Sequence, residues 1–120
     1  MKLKNILLVV EDVERSVSFY KELFGLQVRN DFGGNVILTE GLVLQDRKIW
    51  ESLVDVEIKN GGNASALYFA EHNLEAFQEK LDQCHFEINY LHRLTCYEGG
   101  QKAIRLYDPD GHLIEVGEML

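Results

Sequence analysis

The sequence contains few of the residues that build disulfide frameworks, zinc sites or stiff linkers. Its 120 residues include two cysteines, one proline and one tryptophan. Cys84 and Cys96 are not part of a CxxC or Cys/His spacing of the kind that zinc sites use, and a reducing compartment would keep both as thiols. Neither a disulfide-stapled fold nor a structural zinc site is therefore predicted.

An excess of positive charge and a long apolar run are also missing. The net charge is −8, from 20 acidic and 12 basic residues, and it repels both a phosphate backbone and an anionic membrane surface. No run of about 18 apolar residues could span a bilayer. The five-residue run Ile6–Val10 is too short for a signal-peptide core. We therefore expect a cytoplasmic protein that has neither nucleic acid nor membrane as a partner.

The first part of the chain has the pattern of a β-α-β-β-β unit. The apolar run Ile6–Val10 is typical of a buried strand. Asp12 is a good helix N-cap because its carboxylate can accept hydrogen bonds from free backbone N–H groups, and Gly25 is a typical helix stop. Short strands separated by glycine-containing turns are predicted next. They cover residues 26–29, 35–39 and 42–45.

The same order of elements returns in the second part of the chain. Asn73 is a second N-cap, between a strand and an apolar helical pattern. Strands are predicted at 66–70, 85–90, 102–107 and 112–117, with a long loop at 91–101. The last two strands are joined by Asp108-Pro109-Asp110-Gly111, a strong turn sequence.

This internal repeat predicts an α+β fold of two βαβββ modules that form a curved mixed sheet around a cleft. With 46% hydrophobic residues, the chain can build the core of a single domain. Module one is expected at 1–46 and module two at 64–120. Residues 47–63 are interpreted as a partly ordered connection.

Three segments resemble the vicinal oxygen chelate superfamily, which includes glyoxalases, bleomycin-resistance proteins and extradiol dioxygenases. Residues 8–26, with Ser16-Val17-Ser18-Phe19-Tyr20, resemble its first strand and helix. Residues 67–77 resemble the corresponding element of the second half, and Tyr107–Val116 resembles the closing hairpin. The resemblance covers nearly the whole chain. It implies a small-molecule cleft and, because an open sheet leaves an edge and a face to cover, a homodimer.

Metalloenzymes of that superfamily hold a divalent cation with ligands from the first and last strands of each module. The resemblance places these ligands at Asn5, Gln45, Ala66 and Glu115, where such members carry His or Glu. Only Glu115 matches. Because amides are weak donors and a methyl group offers none, we expect no tightly bound metal and predict no other cofactor.

Five residues are candidates for the site. Glu115 is interpreted either as a residual metal ligand or catalytic acid/base group that faces the cleft, or as an ordinary inward polar residue. Arg105 either binds a ligand carboxylate or phosphate or is an exposed strand charge. Phe69 and Tyr107 are candidate apolar walls. Trp50 is either a flap that stacks on a flat ligand or a packing residue at a dimer interface.

Two functions from different classes remain open. The first is a binding protein whose cleft sequesters a small organic molecule without metal, as the resemblance to bleomycin-resistance members implies. The second is a metal-dependent lyase, isomerase or dioxygenase, in which a cation polarises vicinal oxygens of the substrate. A regulatory or assembly module whose cleft is filled by its own side chains is a third interpretation.

Overall fold

The computed structural model describes residues 1–59 and 61–119. The chain divides into two compact units, Met1–Lys59 and Asn60–Leu120. Each unit is a βαβββ module built on a four-stranded mixed sheet, which confirms the predicted α+β class and its two modules. Among the described residues, every helix is too short or too polar to cross a membrane.

The first unit begins with a strand and a helix and continues through three further strands to a second helix. Its strand order is β1-β4-β3-β2, with β1 parallel to β4 and the other pairs antiparallel. A parallel pair needs a long crossover, which the first helix helps to supply. The elements are β1 (Ile6–Val10), α1 (Val13–Phe24), β2 (Val28–Asp31), β3 (Asn35–Leu38), a 3₁₀ turn (Thr39–Gly41), β4 (Leu42–Asp46) and α2 (Arg47–Val54).

Helix α1 begins and ends where its capping residues predict. The Asp12 carboxylate accepts a hydrogen bond from the backbone N–H of Arg15 at 3.1 Å. Gly25 ends the helix with a φ of 72°, a left-handed conformation that glycine adopts without strain. The buried residues Phe19 and Leu23 lie on the face that packs against β3 and β4. Burial of this apolar face stabilises α1 more than helix propensity does.

Helix α2 lies within the segment 47–63, which the sequence predicts to be a partly ordered connection. The Asp46 carboxylate caps the helix by accepting from the backbone N–H of Ile49 at 3.0 Å. Asp55 closes it with a positive φ of 54°. Apolar residues such as Leu53 stay exposed, so this helix has no continuous buried stripe that would mark it in the sequence.

The second unit repeats the module. Its strand order is β5-β8-β7-β6, with β5 parallel to β8. As predicted, Asn73 caps the helix, accepting from the backbone N–H of Ala76 at 3.0 Å. The elements are β5 (Leu67–Glu71), α3 (Leu74–Gln83), β6 (Asn89–Cys96), β7 (Lys102–Tyr107) and β8 (Leu113–Glu118).

Helix α3 covers one face of the second sheet. It packs against β6, β7 and β8, and the side chains between helix and sheet are buried. Because side chains alternate along a strand, the intervening residues of β7 and β8 point to the opposite face. The buried residues are Leu74, Phe77, Leu81, Ile104, Leu106, Ile114 and Val116.

Strand β6 corrects the prediction. The expected strand at 85–90 and loop at 91–101 are replaced by a strand at Asn89–Cys96. Its pairing with β7 is irregular on both sides of His92. The backbone N–H of Leu94, within the irregular stretch, donates to Oε1 of Gln78 at 2.8 Å. A side chain from α3 thus satisfies a backbone group of β6, a long-range contact that local residue patterns do not reveal.

A polar network joins α3 to β6. Nε2 of Gln78 donates to the Tyr90 hydroxyl at 2.8 Å and to Oδ1 of Asp82 at 3.1 Å. Nη2 of Arg93 lies 2.6 Å from Oδ2 of Asp82. This hydrogen bond from Arg93 lowers the pKa of Asp82 below its ordinary value.

We predict that Asp82 contributes to loss of stability in acid. Because its folded-state pKa is lowered, the contribution is complete above the ordinary value of 3.8 and is lost as the pH falls through the lower folded value. Urea unfolding at about pH 6 and about pH 3 compares the protein with Asp82→Asn. The variant should lose less unfolding free energy between the two conditions. An equal loss would contradict this role for Asp82.

Candidate functional site

An open pocket lies within the second unit, lined mainly by residues on the sheet face opposite α3. Its volume of about 430 Å³ falls in the range of small-molecule sites. Side chains from β5, β7 and β8 and from the loop after β6 surround it. The lining residues are Tyr68, Tyr97, Gln101, Lys102, Ala103, Arg105, Glu115, Gly117 and Glu118.

Arg105 and Glu115 form an ion pair in this pocket. They are directly opposed on β7 and β8, and Nε of the arginine donates to Oε1 of the glutamate at 2.6 Å. Their side chains are 27% and 29% exposed, so a ligand in the pocket could reach both. Nη1 of Arg105 also donates to the Tyr97 hydroxyl and lies 3.4 Å from Nδ1 of His92. The pair is thus part of a polar cluster whose members come from β6, β7, β8 and the loop after β6.

The Arg105 guanidinium is a permanent cation. Burial is the largest effect and lowers its pKa, but the hydrogen bonds and charges of Glu115 and Tyr97 together outweigh burial and raise the pKa above its ordinary value. Glu115 therefore faces a fixed positive charge, and this charge does not depend on pH in the physiological range.

Two tyrosines add aromatic surface to the pocket. The Tyr97 ring centroid lies 5.1 Å from Cζ of Arg105, a cation–π distance. Tyr68 is 62% exposed, and its ring lies over Gly117. A Cβ added at Gly117 would stand 2.7 Å from Cζ of Tyr68 and closer still to its hydroxyl. A glycine at 117 therefore permits this position of the tyrosine ring.

Lys102 is paired with carboxylates. Its Nζ lies 2.7 Å from Oε1 of Glu75 and 3.7 Å from Oε1 of Glu118. The charged lining residues are then two cations, Lys102 and Arg105, and two anions, Glu115 and Glu118. These charges cancel, so the lining as a whole is close to neutral.

The structure brings two of the five candidate residues together. Arg105 and Glu115 line the pocket as partners. Tyr107 shares their sheet face but lies outside the lining. Phe69 follows the pocket-lining Tyr68 on β5, so its side chain points to the opposite face of the sheet, which α3 covers. Trp50 is partly buried on α2, in the first unit.

Sequence reasoning did not find Tyr68, Lys102 or Gly117 as site residues. Tyr68 is in register with Glu115, so the alternation of β5 relative to β8 decides that it reaches the pocket in place of Phe69. For Tyr68 the alternation along the strands was a usable signal: once Glu115 is taken to face the pocket, the residues directly opposite it on neighbouring strands face the pocket too.

The first unit's two positions that correspond to metal ligands do not fit a divalent cation. Asn5 precedes β1 and is exposed. Gln45 is buried, and its amide is engaged at both ends. Oε1 accepts from Nδ2 of Asn35 at 2.7 Å, and Nε2 donates to the backbone carbonyl of Asp46 at 3.3 Å. An amide oxygen that is already hydrogen-bonded is a weak metal donor.

The second unit's positions fit a cation no better. Ala66 has no donor atom, and the Glu115 carboxylate is bound to a guanidinium that would repel a metal ion. Across residues 1–59 and 61–119, no three His, Cys, Asp or Glu side chains are grouped so that they could hold a metal. The residues present therefore do not match the metal chemistry that the resemblance implies.

Comparison with known proteins identifies the family. The family model of the glyoxalase-like domain matches residues 3–120. A crystal structure of a protein of unknown function from Agrobacterium tumefaciens str. C58 is 32% identical with a TM-score of 0.85, and the match covers 100% of this chain and 95% of that one. No curated protein matches the sequence.

Other solved structures share the fold at lower identity. A glyoxalase-related enzyme from Fulvimarina pelagi is 22% identical with a TM-score of 0.79, over 98% of this chain and 88% of that one. A glyoxalase/bleomycin resistance protein/dioxygenase family enzyme from Burkholderia phytofirmans PsJN is 16% identical with a TM-score of 0.79, over 98% of both chains. These two likenesses show the fold alone. Since the family model spans nearly the whole sequence, the chain belongs to the glyoxalase-like domain family of the vicinal oxygen chelate superfamily.

Proposed function

We propose that this protein binds a small organic molecule in the pocket of the second unit, without a bound metal ion. The main support is the Arg105–Glu115 pair, which is held by two adjacent strands and remains partly exposed to the pocket. Concave sites of this size usually combine apolar or aromatic walls with a few fixed polar groups. Tyr68 and Tyr97 supply the aromatic part.

The energetics of the ion pair favour a role in recognition. Desolvation offsets much of the attraction between partly buried charges, so such pairs contribute little net stability. Two apolar residues at these opposed strand positions would serve packing at least as well. An ion pair that stays partly exposed in an open pocket is better explained by contacts with a bound ligand.

We propose a site without metal because the side chains at the ligand positions are poor metal donors. The Glu115 carboxylate is neutralised by Arg105, and Gln45 is engaged by Asn35 and Asp46. Elemental analysis of untagged protein should therefore find less than one metal ion for every ten chains, roughly the level of adventitious binding. Stoichiometric metal would contradict the proposal.

A ligand screen tests the binding function itself. Native mass spectrometry first checks for a co-purified small molecule, and ligand-observed NMR then screens a library of small aromatic compounds. Compounds that bind the protein should bind Gly117→Ala at least about tenfold more weakly, because the new Cβ displaces the Tyr68 ring from its place in the pocket. The stability of this variant should change by less than about 1 kcal/mol, since the displaced group is the end of an exposed side chain.

The double variant Tyr68→Ala/Gly117→Ala is the matched control. With the ring removed, the Cβ at 117 meets no tyrosine, so the alanine at 117 should have little further effect beyond that of Tyr68→Ala alone. A screen without a single binder would contradict the proposed function. Binders that are indifferent to Gly117→Ala would place the binding site elsewhere.

A further inference from the structure

The Arg105–Glu115 pair leaves one polar atom of each partner unused. Nε bonds to Oε1, and Nη1 is directed to Tyr97 and His92. Within the described residues, Nη2 of Arg105 and Oε2 of Glu115 have no hydrogen-bond partner. Among the described residues, no side-chain nitrogen or oxygen that lacks a hydrogen-bond partner is buried, and both residues line the pocket, so these two atoms are accessible there.

These two atoms are a donor and an acceptor at the same ion pair. Nη2 shares the guanidinium carbon with Nε, and Oε2 shares the carboxylate carbon with Oε1, so both lie close to the Nε–Oε1 contact. The guanidinium can only donate, and an ionised carboxylate can only accept. A complementary ligand group must therefore present an acceptor beside a donor. A carboxamide or a lactam does so, because its carbonyl oxygen accepts and its N–H donates.

The charges of the pocket disfavour ionised ligands. Arg105 is neutralised by Glu115, and Lys102 is held by Glu75 and Glu118. A ligand carboxylate would place its second oxygen against Oε2 of Glu115, and a ligand amidinium would place an N–H against Nη2 of Arg105. Mismatched groups of this kind strongly reduce affinity because polar atoms of the site are left unpaired or repelled.

We infer that the pocket binds an uncharged molecule with a carboxamide or lactam group, attached to a flat ring that packs on the exposed face of Tyr68. This inference rests on the proposed binding function and specifies its ligand class. Nη2 of Arg105 donates to the ligand carbonyl, and the ligand N–H donates to Oε2 of Glu115. The tyrosine ring supplies apolar area beside these two polar contacts.

Three probes of nearly the same shape test the inference. Benzamide presents an acceptor and a donor, benzoate two acceptors with a negative charge, and benzamidine two donors with a positive charge. Titrations followed by protein NMR should show that benzamide binds the protein at least about fivefold more tightly than either charged probe. The resonances that shift should include those of Tyr68 and Tyr97.

Two variants should change which of the three probes binds most tightly. Glu115→Gln replaces the acceptor with a donor and leaves Arg105 unneutralised, so benzoate should become the tightest of the three. Arg105→Met removes the donor and leaves the carboxylate alone, so benzamidine should become the tightest. Arg93→Met is the control, because it removes a guanidinium from an ion pair outside the pocket lining and should leave benzamide first.

Each other result overturns the inference. If benzoate or benzamidine binds the unmodified protein most tightly at this pocket, the ligand class is wrong while the binding function stands. If the three probes rank in the same order in Glu115→Gln and Arg105→Met, the ion pair does not determine which ligand binds. If no probe binds, the amide class fails, and the proposed function fails with it only when the wider screen also finds no binder. The ranking in the unmodified protein is decisive even if a variant does not fold.

Discussion

Asp108→Ala should lower the unfolding free energy by about 2 kcal/mol and weaken ligand binding at the same time. The Asp108 side chain is 1% exposed, and its Oδ1 accepts hydrogen bonds from the backbone N–H groups of Asp110 and His112, both at 2.9 Å. Alanine leaves these two N–H groups without that acceptor in a partly buried turn. Urea unfolding followed by circular dichroism measures the loss.

The effect on binding follows from the position of the turn. It joins β7 to β8, and the register of these strands places Arg105 opposite Glu115. A loosened turn therefore disturbs the ion pair, although no atom of Asp108 lines the pocket. Asp108→Asn keeps an oxygen acceptor at the same place and should lose less than half as much stability. If alanine and asparagine cost the same, the hydrogen bonds are not the reason for the aspartate.

Gln78→Ala is expected to destabilise the second unit by about 2 kcal/mol. The side chain is 8% exposed and makes hydrogen bonds to Leu94, Tyr90 and Asp82. Its loss leaves the Leu94 N–H of β6 without this acceptor and removes a direct link between α3 and the strand. Besides the change in unfolding free energy, the Leu94 amide should exchange with solvent faster, which hydrogen-exchange NMR detects.

Gln83→Ala is the matched control for this prediction. Gln83 is the last residue of the same helix and is exposed. Its replacement should change the unfolding free energy by less than about 0.5 kcal/mol. Similar losses for Gln78→Ala and Gln83→Ala would show that helix propensity, rather than the contact with β6, accounts for the effect.

The arrangement around Glu115 supports the proposal of a polar site without metal chemistry. In the positions that the resemblance assigns to metal ligands, only this carboxylate is retained, and Arg105 supplies the positive charge beside it. A guanidinium differs from a metal ion because it offers directional donors rather than open coordination sites. The site is therefore suited to selecting a ligand by its pattern of donors and acceptors.

Local sequence signals were sufficient for much of the fold. Asp12, Gly25 and Asn73 act through backbone groups no more than a few residues away, so both ends of α1 and the start of α3 could be predicted from them. The alternation along β8 puts Ile114 and Glu115 on opposite faces, but the structure decides that the Ile114 face is the buried one. Strand β6 was placed wrongly because its backbone is partly satisfied by Gln78, which is distant in sequence.

The candidate site also depends partly on local sequence and partly on contacts between distant residues. The sequence by itself determined that Arg105 and Glu115 are charged residues on strands of alternating burial, and that Asn5, Gln45 and Ala66 are weak metal donors. Only the tertiary structure decided that the arginine and the glutamate are partners, and that Tyr68 rather than Phe69 faces the pocket. The physical reason is the separation in sequence of the residues that interact. Caps, turns and strand alternation depend on neighbours in the chain. Strand register and the face that α3 covers depend on contacts between residues far apart in sequence.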